Sequence, residues 1–360
     1  MFKIEEISLV QFRNYAQAGF TFSNSVTGIC GKNGSGQTNL LDAVYYLCFT
    51  KSYFGKTDLQ NTQLEKSGFR LEGKMVLLNQ QYQITCVLRE NGKKEFGVNH
   101  ENYSRFATHI GKFPCVMIAP DDVAIITQGS EERRKFMDYT ISQMDADYLQ
   151  NLIDYNKILQ QRNSLLKQLA DTGSIDKQLM DIISDQLVGV GQLLFSRRSK
   201  FLDDFIPVVS RLYHSIAQND ENLTITYQSH LKSIHFKELL LKNKAKDIAL
   251  QRTTQGIHRD DLEFGLDGFP FKNIASQGQR KCLLFALKLA EFEVLSTHKG
   301  FPPILLLDDI FEKLDESRMK NLLAKVCVEN QGQVLISDTH YHRLKEALDE
   351  LGVSHDIIVL

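Results

Sequence analysis

The stretch that most narrows what this chain can fold into is Gly31-Lys32-Asn33-Gly34-Ser35-Gly36-Gln37-Thr38. The apolar-rich Val26–Cys30 precedes it, and Asn39–Leu47 follows with helical character. Strand, glycine loop, helix is the context in which successive backbone N–H groups turn inward on an anion. The helix starting near Thr38 adds its positive dipole end to the same point. Thr38 supplies the hydroxyl that holds Mg²⁺ in such loops. One position departs from the pattern, because Gln37 stands where Lys is expected. A hydrogen bond to a charged group is worth about 1.5–3 kcal/mol, and each 1.4 kcal/mol is about tenfold in affinity. Nucleotide binding is therefore expected to be roughly ten- to a hundredfold weaker than with lysine, and hydrolysis weaker still, since charge stabilisation is most of phosphoryl transfer. The plain alternative is an ordinary Gly-rich turn, against which motifs far downstream speak.

Bulk properties exclude several classes. With 42% hydrophobic and 24% charged residues over 360 positions, the chain has the make-up of a soluble globular protein of two or three domains. A net charge of −2 gives no global attraction to nucleic acid or anionic membrane, so a DNA site must be a local basic patch. Six cysteines without a CxxC pair read as buried thiols in a reducing cytosol, with no zinc site. The start has no signal-peptide layout and no apolar run is long enough to span a membrane, so a cytoplasmic location is expected.

The hydrophobic pattern divides the chain in three: residues 1–129 and 251–360 read as α/β, and residues 130–250 as an inserted helical lobe. Phe2–Phe12 alternates as a strand. Arg70–Leu78 and Tyr82–Arg89 form a hairpin pattern around 79–81. Tyr148–Ala170 carries apolar residues near the 3.6 period, and Ile234–Leu250 reads as helical and basic at 237, 242, 244 and 246. Ile304–Leu307 and Gln333–Ile336 are all-apolar or nearly so, as in buried parallel strands.

Two further motifs bear on the loop. Ile304-Leu305-Leu306-Leu307 ends in Asp308-Asp309. A buried strand there delivers Asp308 to the Mg²⁺ beside Thr38, and Asp309 toward an attacking water. Asp309 is one methylene shorter than the usual Glu, so slow hydrolysis is expected on that ground too. Ser276-Gln277-Gly278-Gln279-Arg280-Lys281 opens an amphipathic helix, either as a second anion site or as a plain N-cap. Phe311-Glu312-Lys313-Leu314-Asp315 follows the acidic pair. Glycine loop, Ser-x-Gly-Gln, double acid and Leu-Asp, in that order, resemble the ABC-type ATPases. In that class the serine motif caps the γ-phosphate held by the other subunit.

Phe12-Arg13-Asn14-Tyr15, Gly31–Asn39, Ala119-Pro120-Asp121-Asp122, Glu131–Asp138, His258–Leu262, Ser276–Lys281 and Leu307–Asp315 together resemble the RecF family of bacterial DNA replication and repair proteins. The resemblance covers the whole length. It implies an ABC-type, SMC-like ATPase head of mixed or parallel sheet with an antiparallel part, and a compact helical lobe in place of a long coiled coil. It implies ATP-dependent homodimerisation on DNA, and work with RecO and RecR to load RecA at single-strand gaps and support the SOS response. By position, Gly31, Lys32, Asn33, Gly34, Ser35, Gly36, Gln37 and Thr38 bind ATP. Thr38 and Asp308 hold Mg²⁺, with Gln128 a further metal-sensing candidate. Asp309 acts on water, and Gln37 is the departure that bears on turnover. Ser276, Gln277, Gly278 and Gln279 act across the dimer, with Asp315 at its seam.

Arg13 and Asn14 either approach the nucleotide or form a turn beside the core. Lys32 either reaches a phosphate across a dimer or is an exposed variable residue. The switch position after strand 333–336 is Asp338 or His340. DNA contacts are sought among Lys51, Lys56, Arg105, Arg133, Arg134, Lys135, Arg197, Arg198, Lys200 and the 237–246 cluster, each open also to a solvated or ion-paired role. Two rivals remain: a DNA-bound scaffold that does not hydrolyse ATP, and a transporter-type ATPase subunit.

Overall fold

The computed structural model describes residues 2–55, 57–174, 176–217, 221–310, 316–329 and 331–360. It divides into two compact units, Met1–Val123 with Leu212–Asn219 and Ser276–Leu360, and Ala124–Arg211 with Asp220–Ala275.

The first unit, the head, is built on a five-stranded sheet in the order His355–Val359, Val26–Cys30, Val334–Asp338, Ile304–Leu307, Cys115–Ile118. All four pairings are parallel. Ile304–Leu307 and Cys115–Ile118 are buried at every residue, which is why they read as unbroken apolar runs. A second, antiparallel sheet runs Tyr15–Thr21, Phe2–Phe12, Phe69–Leu77, Gln80–Leu88, Lys94–Val98, Glu101–Asn102. Its hairpin turn is Leu78-Asn79, with φ of 49° and 65°, one residue earlier than the pattern suggests. Positive φ at both central residues matches the strand twist.

Helix Gln37–Phe49 is buried at every residue from Leu40 onward, as befits a helix covered on more than one side. Its Leu40, Leu41, Val44 and Leu47 share one core with Ile4, Leu71 and Ile84 of the antiparallel sheet and with Met117, Leu306 and Leu335 of the parallel sheet. The glycine loop is thus held from behind by both sheets. Buried Gln333 adds a polar tie, accepting the Ile4 N–H at 2.8 Å and donating to the Ile4 carbonyl at 2.9 Å. That spot is where Phe2–Phe12 breaks register with its neighbour, between Ile4 and Glu6. The side-chain amide thereby satisfies backbone groups that the irregularity would otherwise leave unpaired.

The second unit is mainly helical, with Ser130–Met144, Ala146–Thr172 and Lys177–Ala217 as its long helices. Tyr148, Tyr155, Leu187, Leu194, Phe236 and Ile257 lie in its core. Ile234–Leu250 is not one helix. It splits into Phe236–Lys242 and Lys244–Ala249 at Asn243, whose backbone sits at φ −100° and ψ 7° and whose Nδ2 shares the Leu239 carbonyl, at 2.9 Å, with its own backbone N–H at 3.2 Å. Strand Asp261–Leu266 pairs with Leu223–Gln228 and Phe269–Pro270. Residues 251–275 therefore group with the helical unit, whereas sequence pattern puts the return to the head at 251. All six cysteines are buried and free. Among the described residues no helix is long and apolar enough to cross a membrane.

Candidate functional site

Three parallel strands end at one edge of the head: Val26–Cys30 runs into the glycine loop, Ile304–Leu307 into Asp308, and Val334–Asp338 lies between them. Carboxyl ends of such strands are where α/β sheets hold ligands. Gly36 has φ +121°, and a Cβ there would sit 2.7 Å from both the Asn14 amide nitrogen and the Tyr15 hydroxyl. Only glycine fits that backbone and that space.

Gln37 does not point away as an idle substitute. It is buried, its Nε2 donates to the Gly31 carbonyl at 2.6 Å, and its Oε1 accepts the Ser35 hydroxyl at 3.0 Å. Both ends of the amide are used inside the loop. Lys32 is exposed. Asn14 donates through Nδ2 to the Ser35 carbonyl at 2.8 Å, and its Oδ1 accepts from Asn39 Nδ2 at 2.7 Å. Tyr15 donates to the Gly36 carbonyl at 3.0 Å, and burial pushes its phenol up to about 12. Asn14 and Tyr15 are braces of the loop. Tyr15 was not legible as one from its sequence position, although it stands beside Asn14. Arg13 belongs elsewhere. Its Nη2 binds Asp42 at 2.7 Å and Ser52 at 2.9 Å, behind the loop, so its guanidinium is committed to a carboxylate rather than offered to phosphate.

Thr38 and Asp308, 270 residues apart, meet: the hydroxyl lies 3.0 and 3.1 Å from the two carboxylate oxygens. Ser337 donates to Asp308 Oδ1 at 2.7 Å and accepts the Asp309 N–H at 3.0 Å. Sequence reasoning passed over Ser337; its signal is a serine ending an apolar strand that borders the acidic one. Burial raises the Asp308 carboxyl above the ordinary range, the Ser337 and Thr38 hydrogen bonds oppose this, and Asp309 and Asp42 add to it. Asp309 is half-buried with φ +46°, in the left-handed region that aspartate tolerates better than most residues. A hydroxyl and a carboxylate side by side are hard oxygen donors of the kind Mg²⁺ takes, with water and phosphate completing the set. Among the described residues no three His, Cys, Asp or Glu side chains converge on a metal position, so the pair would share an ion with its ligand. Asp338 is buried and accepts from Arg343 at 2.9 and 2.5 Å and from the His340 N–H at 2.9 Å. His340 is exposed.

Ser276 caps helix Gln277–Lys299. Its hydroxyl accepts the Gln279 N–H at 3.2 Å, and the Gln279 side chain accepts the Ser276 N–H at 2.7 Å. Ser276 and Gln277 are exposed, Gly278 partly so. Asp315 lies outside the described residues.

The basic candidates of the helical unit sort by partner. Arg133 is buried, with Nε 2.6 Å and Nη2 3.0 Å from Asp261, and Nη1 on the Ile125 and Gln128 carbonyls. Arg198 is 2% exposed and bound to Asp138, Asp260, the Tyr148 hydroxyl and the Ile257 carbonyl. Arg198 cannot reach a DNA phosphate without leaving buried Asp260 short of its cation, and Arg133 is itself buried and spends its donors on half-buried Asp261 and two carbonyls, so neither is placed as a DNA contact. Arg134 is half-buried and donates to the Asp260 carbonyl at 2.8 Å. Burial and nearby Arg198 hold its guanidinium below the usual arginine range. Arg197 pairs with Asp145, and Lys135 with Glu131 and Glu132 at 3.0 and 2.9 Å. Lys135 is exposed. Gln128 is exposed in this same unit, just past the short helix Ala124–Thr127.

Against known proteins, the family model described as RecF/RecN/SMC N terminal domain matches residues 3–357. The DNA replication and repair protein RecF of Flavobacterium johnsoniae is 42% identical over 357 residues, 99% of each chain. The protein of the same name from Bacteroides fragilis is 39% identical over 350 residues, covering 97% of this chain and 94% of its own. A solved structure of the recombination mediator protein RecF-ATPrS in the RecFOR pathway superposes with TM-score 0.86 at 30% identity, over 94% of this chain and 93% of that one. An Smc head domain from Pyrococcus furiosus superposes with TM-score 0.55 at 14% identity over 98% and 92%, which speaks for the fold alone.

Proposed function

Because this chain belongs to the RecF family of DNA replication and repair proteins, we propose that it is an ATP-binding clamp whose two copies close on DNA at gaps. The loop 31–38 takes the triphosphate. Thr38 and Asp308 hold the accompanying Mg²⁺, which when bound screens phosphate charge that Gln37 cannot. Ser276 to Gln279 supply the second half-site from the partner copy. The observation that carries this reading is the meeting of Thr38 with both oxygens of Asp308 at the end of the glycine loop. An N-terminal helix turn with an exposed serine cap supports the trans contact. RecR and RecO, with RecA downstream, are the expected partners, and the place of action is the cytoplasm. DNA contact would fall to exposed Lys135 and, more weakly, to half-buried Arg197. Asp309 is the proposed group that orients water.

The test is fluorescence anisotropy on a gapped duplex with Mg-ATP, Mg-ADP and no nucleotide. Tighter, salt-dependent binding with ATP supports the reading, since phosphate contacts release counterions. Affinity indifferent to nucleotide would contradict it. A second reading, a nucleotide-bound scaffold without turnover, is favoured by Gln37, whose amide is engaged inside the loop at both ends. Phosphate release that appears only in Gln37→Lys would select it.

A further inference from the structure

Resting on the nucleotide-site reading above, we propose that Tyr53 is a positioning residue that couples occupancy of the glycine loop to the helix carrying the serine motif of the same chain. Asp42 lies on the second turn of helix Gln37–Phe49 and is fully buried. Its Oδ1 accepts the Tyr53 backbone N–H at 2.7 Å; its Oδ2 accepts Ser52 at 2.8 Å and Arg13 at 2.7 Å. Tyr53 turns its phenol the other way. The hydroxyl donates to Asp122 Oδ1 and accepts Lys288 Nζ at 3.1 Å. Lys288 also lies 3.7 Å from Asp122 Oδ2 and 3.7 Å from Glu291. Lys288 and Glu291 belong to helix Gln277–Lys299. Asp122 is anchored by the Ala119 N–H at 2.8 Å, just past strand Cys115–Ile118, whose Ile118 carbonyl takes the Asp308 N–H at 2.8 Å.

Tyr53 is thus shared, backbone on the loop helix and side chain on the serine-motif helix. The Tyr45 ring meets it edge-on at 4.9 Å and the Lys288 ammonium sits 5.5 Å from its centroid, so the ring has little room to swing. Asp122, Lys288 and Glu291 are all buried. Separating such charges costs far more than at a surface, and a satisfied buried network responds as a unit. A shift of Asp42 on nucleotide binding must either break the Tyr53 contacts or carry helix Gln277–Lys299 with it. The second course is the less costly.

Tyr53→Phe keeps the ring and removes the hydroxyl. Hydrogen exchange is measured with and without saturating Mg-ATP in the full chain. In the wild type, ATP is expected to slow exchange both at residues 31–40 and at residues 279–291. In Tyr53→Phe the slowing at 31–40 remains, while that at 279–291 falls about tenfold, the scale of one hydrogen bond to a charged group. Equal slowing in both proteins overturns the proposal. So does parallel loss at both segments, which marks a merely structural residue. Adding Lys288→Met to Tyr53→Phe should remove no further coupling; additive losses would overturn the shared link. The same series is run in Gln37→Lys. A wild-type loop that takes no nucleotide then counts against the proposed function, and the lysine form still decides the role of Tyr53.

Discussion

In the helical unit, Arg162 binds Asp247 at 2.8 Å with both groups buried, and Arg198 is enclosed by Asp138 and Asp260. In the head, the comparable polar groups stand at an edge. Thr38 is half-buried against Asp308, and Ser276 is exposed. Both regions spend sequence on charge and hydrogen bonding. The helical unit turns its arginines inward to hold its own parts together; the head also buries charge, in Asp42, Asp122, Lys288 and Glu291, but adds polar groups at the ends of its parallel strands where a ligand can arrive. Conspicuous arginines are therefore poor guides to a binding surface, while a modest threonine at the end of a glycine loop is a good one.

The largest expected effect tests the inward half of that contrast. Arg198→Met should cost about 3–5 kcal/mol, because buried Asp260 and half-buried Asp138 would be left without their cation. Urea unfolding read by a probe in the helical unit measures it. A loss below about 1 kcal/mol, the value of a surface pair, would break the comparison.

Each unit also shields a histidine from water: His109 in the head is fully buried and His258 in the helical unit partly so, and desolvation pushes both down to about 4 from 6.5. The folded form binds fewer protons than the unfolded one, so stability is full above 6.5 and falls as pH drops toward 4. The slope is about 1.4 kcal/mol per pH unit for each histidine. Replacing His109 with Gln should flatten the acid limb for the head alone, and His258→Gln for the helical unit alone. A single shared change in both would show the units to be one cooperative block.

Gln37→Lys is expected to tighten ATP binding about ten- to a hundredfold by calorimetry, the worth of about 1.5–3 kcal/mol, since the lysine would trade two loop hydrogen bonds for a phosphate contact. Unchanged affinity would mean that Lys32 already supplies the charge, and Lys32→Ala in the wild type would then abolish binding. The smallest effect belongs to Lys135→Ala. Its partners are surface glutamates, and its side chain is 46% exposed, so stability should change by less than about 0.5 kcal/mol. If it contacts DNA, the salt dependence of binding should fall by about one counterion.

These cases also explain what could be read in advance. The loop, the Ser276 cap and the Asp308 strand were legible because their chemistry is made by backbone and near neighbours at fixed spacing. The fates of Arg133 and Arg198 were not, because their carboxylates lie 128 and 60 residues away along the chain and only folding reveals the pairing. Ser337 escaped for the same reason. Its role exists only because strand Val334–Asp338 lies between the loop strand and the acidic strand. Asn243 shows the local version of the limit: apolar spacing continued through it, and one residue's departure from helical φ and ψ parted the two helices.

The measurement that bears most directly on two chains closing over a nucleotide is sedimentation equilibrium with Mg-ATP, Mg-ADP and no nucleotide, on the wild type and on Gln37→Lys. A dimer that forms with ATP, dissolves with ADP and is strengthened by the lysine is the predicted result. A single chain at saturating ATP in both proteins would contradict the account.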